Sequence, residues 1–122
     1  MRIHHVQLSC PPGGEDRGRH FYVEGLGFAE VAKPAELATR GGAWFRHAGG
    51  AEIHLGIEDP VAGRKAHPAL EVTSTDQLEQ LAARLESLGY GVDWSQRHNA
   101  EWFERFHTLD PFGNRVEVVH VL

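Results

Sequence analysis

Apolar and polar positions alternate at the start of the chain. Over residues 2–9, Val6 and Leu8 share one side of an extended backbone, and Ile3, His5, Gln7 and Ser9 share the other, as the two-residue period of a strand requires. Residues 66–73 have the same form, with Pro68, Leu70 and Val72 against His67, Ala69, Glu71 and Thr73. A helical signal follows each strand. Leu78, Leu81, Ala82, Leu85 and Leu88 recur at helical spacing, Ser74 or Thr75 supplies the N-cap, and Gly89 the stop. The first-half counterpart runs from Asp16 to Glu24, with Phe21 and Tyr22 as its apolar content and Gly25 and Gly27 as stops. Three shorter strands come next in each half, near 28–33, 42–47 and 51–57, and near 91–94, 103–108 and 114–121. Gly41-Gly42, Gly49-Gly50, Pro111 and Gly113 mark the turns.

The chain is therefore written twice. His5 and His67 lie 62 residues apart, as do Leu26-Gly27-Phe28 and Leu88-Gly89-Tyr90, and His54 and Glu117 lie 63 apart. The slip of one fits an extra residue in the turn Asp110-Pro111-Phe112-Gly113. A repeated β-α-β-β-β unit follows, with modules at 1–60 and 66–122 in a single domain of 1–122. The fold class is α+β.

The faces of the strands differ in character. Ile53, Leu55 and Ile57 oppose Glu52, His54 and Gly56, and Val116 and Val118 oppose Arg115, Glu117 and Val119. The aliphatic face should pack on the helices, which then lie outside. The other face carries His5, His54, His67 and Glu117, each expected near mid-strand. Cupped into a trough, a mostly antiparallel sheet would bring these four together. Three imidazoles and a carboxylate suit a divalent first-row metal. Octahedral coordination would leave two positions for water or substrate; tetrahedral coordination would close the site. Solvated histidines on an open sheet are the competing reading, and four matched positions in a repeat weigh against it.

Composition narrows the chemistry. Nine histidines stand against one cysteine and one methionine, so the ligands would be nitrogen and oxygen. Cys10 alone cannot form an internal disulfide. A net charge of −5 argues against a nucleic-acid surface. No apolar run approaches the roughly 18 residues of a membrane span, and no charged-then-apolar leader opens the chain, so the expected location is cytoplasmic.

At these residues the sequence resembles the vicinal oxygen chelate superfamily, the glyoxalase / bleomycin resistance / extradiol dioxygenase group. The resemblance rests on His5, on Phe21-Tyr22-Val23-Glu24-Gly25-Leu26-Gly27-Phe28, on His67, and on Asp110-Pro111-Phe112-Gly113-Asn114-Arg115-Val116-Glu117. It implies paired βαβββ modules around one divalent ion (Ni, Zn, Co, Fe or Mn) held by His5, His67 and Glu117, with His54 at the position of a fourth ligand. It implies a small-molecule substrate and a homodimer. The activity implied most directly is that of a glyoxalase I-type lyase or isomerase, with Glu117 and His54 as the catalytic groups. In that chemistry metal-bound carboxylates move a proton beside a carbonyl, and here only Glu117 remains as such a carboxylate. The alternatives are an Fe(II) extradiol-type dioxygenase and an antibiotic-modifying or antibiotic-binding resistance protein. A phosphonate substrate would need a cationic pocket, for which Arg46, Arg97, Arg105 and Arg115 are candidates. Gln7, Ser9 and Glu71 share the ligand face and are candidates to orient imidazoles, with Arg115 beside them. His107 falls in a strand, Phe103 to Leu109, whose face is not set by its pattern; it could line the pocket, but core or surface is its expected place.

Overall fold

A computed structural model describes all 122 residues. They form two compact units, Met1–Ala62 with Pro111–Asn114, and Gly63–Asp110 with Arg115–Leu122. No helix is long and apolar enough to cross a membrane.

The first unit contains β1 (Val6–Cys10), α1 (Glu15–Arg19) running into a π-helix (His20–Gly25), β2 (Ala29–Val31), a 3-10 helix (Ala35–Arg40), β3 (Ala43–Arg46) and β4 (Glu52–Ile57). Its sheet has the order β1-β4-β3-β2, with β1 parallel to β4 and the other pairs antiparallel. In register Ala43 faces Leu55 and Phe45 faces Ile53, and all four are buried. The helical segment covers this face with Phe21 and Tyr22. Tyr22 stacks on Phe45 with centroids 5.4 Å apart. The helix approaches closely because Gly18 has no side chain: a Cβ there would lie 2.4 Å from Leu55 Cδ1. Gly42 immediately precedes β3 with φ +79°, and a Cβ on it would lie 2.0 Å from the Leu55 carbonyl oxygen. Only glycine meets both demands.

The second unit repeats the plan. It contains β5 (Ala69–Val72), α2 (Thr75–Ser87), β6 (Val92–Asp93), β7 (Phe103–Leu109) and β8 (Arg115–Val121), in sheet order β5-β8-β7-β6. Again the first strand is parallel to the last. The Ser74 side chain accepts the Gln77 N–H, and Gln77 Oε1 accepts the Thr73 N–H, so each satisfies an N–H at the helix start. Leu78, Ala82 and Leu85 of α2 are buried with Phe106, Val116 and Val118.

Two strand starts differ from expectation. Extended pairing begins at Val6 and Ala69, not at residues 2 and 66. His5 and His67 therefore precede their strands instead of sitting at mid-strand. Pro68 has no N–H to give to a ladder, and its carbonyl accepts the Glu117 N–H. In the first unit Val6 already pairs with Ile53, one residue from the start of β4, so residues before it meet no partner strand. The 3-10 helix was not foreseen; it follows Pro34, which has no N–H to donate to a strand ladder.

Candidate metal centre

In the first unit, β4 places Glu52 and His54 on the polar face of the sheet, and β3 places Arg46 opposite Glu52 and Trp44 opposite His54. Arg46 Nε donates to Glu52 Oε2 at 2.9 Å, and His54 Nε2 donates to Glu52 Oε1 at 2.8 Å. Both oxygens of a buried carboxylate are thus partnered. The hydrogen bonds from Arg46 and His54 outweigh burial and hold the Glu52 carboxyl down at about 2. The His54 ring lies between two others. Trp44 stacks on one side at 3.9 Å and 3°, and His5 on the other at 3.9 Å and 14°. Burial holds the His54 imidazole below its ordinary value, against the opposing hydrogen bond to Glu52. The ring is therefore neutral at pH 7, with Nε2 carrying the proton and Nδ1 the lone pair.

In the second unit, β8 carries Glu117 directly between Ala69 of β5 and His107 of β7. His67 stands two residues before Ala69 and so shares its side of the strand. Glu117 Oε2 lies 3.0 Å from His67 Nε2, 3.0 Å from His107 Nε2 and 3.0 Å from Arg105 Nη1. The ligand atoms of His67, His107 and Glu117 all lie within 4.8 Å of one another. Glu117 is 6% exposed and His107 4%. Burial raises the Glu117 carboxyl, but hydrogen bonds from the two histidines and the Arg105 charge outweigh it, and the net direction is down. Burial and the Arg115 charge lower the His107 imidazole.

The donor set fits a cation. His67 Nδ1 lies 2.5 Å from the Lys65 carbonyl oxygen. A carbonyl only accepts, so Nδ1 carries a proton. A neutral His67 then turns the lone pair of Nε2 toward a carboxylate oxygen, and two acceptors at 3.0 Å repel unless a positive charge lies between them. A proton or a metal ion meets that need. The backbone carbonyl behind the far nitrogen is the support that metal-bound histidines usually have. His107 Nδ1 is buried with no hydrogen-bond partner, so His107 lacks the support at its far nitrogen that His67 has.

The expected residues thus separate by unit. His5 and His54 stack in the first, and His67 and Glu117 meet in the second. The second cluster includes His107, which the sequence reading placed in the core or on the surface. It is buried, yet its Nε2 is directed at Glu117. The repeat carries the missed signal: 63 residues separate His107 from Trp44, and each stands cross-strand from the residue of interest, His54 or Glu117. The expected orienting residues also change. Ser9 Oγ donates to Glu58 at 2.6 Å, and Glu71 is exposed beside Val119 with no imidazole hydrogen-bonded to it. The supports are Glu52 for His54 and the Lys65 carbonyl for His67. Gln7 does face His54 across β1 and β4. Of the four candidate arginines, Arg46, Arg97 and Arg105 are tied to Glu52, to Glu79 and Glu104, and to Glu117. Arg115 forms no ion pair.

The family model of the Glyoxalase/Bleomycin resistance protein/Dioxygenase superfamily matches residues 2–118. Among solved structures, a Bacillus anthracis chain assigned to the glyoxalase family is 37% identical, with a TM-score of 0.87 over 100% of this chain and 96% of that one. TnmS3, an antibiotic binding protein from Streptomyces sp. CB03234, is 25% identical, with a TM-score of 0.69 over 100% and 99%. The fosfomycin resistance protein FosX from Mesorhizobium loti shares the fold at 15% identity, with a TM-score of 0.73 over 99% and 92%. No curated protein matches the sequence.

Proposed function

Because the chain belongs to the Glyoxalase/Bleomycin resistance protein/Dioxygenase superfamily, we propose that it is a divalent-metal-dependent enzyme acting on a small molecule, with lyase or isomerase chemistry of the glyoxalase I kind. The observation that carries this reading is the convergence of His67, His107 and Glu117, with His67 Nδ1 engaged by the Lys65 carbonyl and Nε2 directed at Glu117. Two imidazoles and one carboxylate suit Ni, Zn, Co, Fe or Mn. Such an ion, when bound, polarises a substrate oxygen and stabilises negative charge developing there. The chain's own groups have separable roles. Glu117 stays ionised, and the Arg105 and His107 nitrogens on Oε2 make it a ligand and a weak base. In the first unit, taken by itself, His54 is a candidate proton acceptor: its ring is neutral, its plane is held by Trp44 and His5, and Glu52 keeps the proton on Nε2 so that Nδ1 can accept one. We also read the assembly as a homodimer, which light scattering on the purified protein tests.

The composition of the cluster, two histidines and one carboxylate, supports a second reading as an Fe(II) dioxygenase, since that set leaves coordination positions for substrate and oxygen. Metal analysis of untagged protein separates the two. About one equivalent of nickel, cobalt or zinc, lost in Glu117→Ala, supports the lyase reading, and iron with oxygen-dependent catechol cleavage supports the dioxygenase. If the wild type takes up no metal on reconstitution, both enzyme readings fall, and ligand binding without turnover, the property for which TnmS3 is named, takes their place.

A further inference from the structure

The second unit contains a pocket of about 720 Å³, within the size range of small-molecule sites. Arg64 and Lys65 from the segment before β5, Asp93 of β6, His107 and Leu109 of β7, and Arg115 of β8 line it. His107 belongs to both the pocket and the ligand cluster, so the pocket adjoins the candidate metal centre within one unit. Three cationic side chains face one carboxylate there. The carboxylate is already occupied in part, since Asp93 Oδ1 accepts the Ser95 N–H at 2.9 Å. Arg115 is half-buried and makes no ion pair, whereas Arg97 and Arg105 each hold a buried glutamate. Asp93 is the one acidic side chain lining the pocket and it interacts with Arg115, so against three cations it leaves an excess of positive charge that an anionic ligand would offset. The planar fork of Arg115 suits a carboxylate or a phosphorus oxyanion, which it can bind through two parallel hydrogen bonds. Leu109 is 56% exposed and offers an apolar surface beside that charge.

We propose that this pocket binds a small organic anion, with its carboxylate, phosphonate or phosphate group on Arg115 and its apolar part on Leu109. The inference deepens the proposed function and rests on it, because it takes the pocket as the substrate pocket of the metal site. It excludes neutral α-dicarbonyls as the preferred ligands.

The test is calorimetric titration of the full chain with phenylphosphonate, benzoate and neutral benzyl alcohol. It is run on metal-free and zinc-loaded protein, with zinc uptake measured in a separate titration. One or both anions should bind the metal-free protein, and benzyl alcohol should bind more weakly. Arg115→Gln should weaken anion binding by about tenfold or more, Arg115→Lys should weaken it less, and Arg84→Gln on exposed α2 surface should leave it unchanged. The stronger of the two anions identifies the oxyanion the pocket prefers. Equal binding of benzyl alcohol, no anion binding to metal-free protein, or an unchanged Arg115→Gln variant would overturn the inference, even with zinc bound normally. Anion binding that depends on Arg115 in a protein that takes up no zinc would instead leave this site standing and remove the metal reading.

Discussion

Replacing Glu52 by glutamine isolates the carboxylate that holds His54. The wild-type carboxyl is held at about 2, against an ordinary 4.5, by hydrogen bonds from Arg46 and His54. At about 1.36 kcal/mol per pH unit, the full difference corresponds to about 3 kcal/mol. Arg46 is 56% exposed, so part of that interaction is screened by solvent, and about 1–2 kcal/mol should survive. The folded-state value is depressed, so the stabilisation is complete above pH 4.5 and lost as pH falls toward 2. Glu52→Gln should therefore be about 1–2 kcal/mol less stable than wild type at pH 7. The gap should narrow by more than half at pH 3, because protonated Glu52 resembles glutamine. Glu104 and Glu117 also gain protons as the pH falls, but they do so in both proteins and largely cancel in the difference; His54 does not, because Glu52 raises its imidazole in the wild type alone, so its protonation widens the gap before Glu52 itself titrates. Urea unfolding followed by tryptophan fluorescence at steps from pH 7 to pH 3 measures it, with Trp44 reporting on the first unit through its stack on His54. A gap that stays constant across that range would mean that Arg46 and His54 do not hold the carboxylate down, and the assignment of the His54 proton to Nε2 would lose its support.

Other perturbations probe separate parts of the molecule. Zinc at about a hundredfold excess over its dissociation constant should stabilise the wild type by about 2.7 kcal/mol and leave Glu117→Ala unmoved in thermal melts; an equal gain in both would place the ion elsewhere. Gly42→Ala should cost about 2–4 kcal/mol, since a methyl group would sit 2.0 Å from the Leu55 carbonyl oxygen at φ +79°. A Gly42→Ala variant with the wild-type denaturation midpoint would refute that account of the turn. Ser74→Ala removes the cap of α2 and should cost about 1 kcal/mol, measured by chemical denaturation, with Thr75→Ala not reproducing a loss at the Gln77 amide in hydrogen exchange.

The order of elements could be read because each signal was local. Leu78, Ala82 and Leu85 bury one stripe of α2, and the Ser74 cap and Gly89 bound it, so period and punctuation agree. The strands β1 and β5 were placed too early because alternation of side chains continues wherever the backbone is extended, whether or not a partner strand is present. Only the ladder ends them, and Pro68 and the start of β4 are facts about pairing. The 3-10 helix at Ala35–Arg40 has no apolar period to announce it, and none of its residues is buried. His107 escaped notice for a related reason. Strand β7 buries Phe106 and Thr108 on one side and Phe103 and His107 on the other, so its sequence shows no polar face. Its meaning comes from the antiparallel register with Glu117. The stack of Trp44, His54 and His5 likewise depends on cross-strand placement and on the path of the residues before β1.

The two units draw the same three residue types together from different repeat positions and leave them in different states. Each has an arginine, a glutamate and a histidine in contact. In the first unit the trio runs along and across β3 and β4, and the glutamate gives one oxygen to Arg46 and the other to His54. Every strong group there has a protein partner, and the His54 ring is clamped on both faces. In the second unit the glutamate stands where the first has His54, and His107 stands where the first has Trp44. Three nitrogens, from His67, Arg105 and His107, then crowd a single oxygen, and His107 keeps its other nitrogen buried without a partner. A self-satisfied trio rigidifies its unit and fixes a tautomer. In the second unit a divalent cation would take one nitrogen from each imidazole and an oxygen of Glu117. The repeat has thus given one unit the means to position a proton acceptor and the other the means to hold an ion.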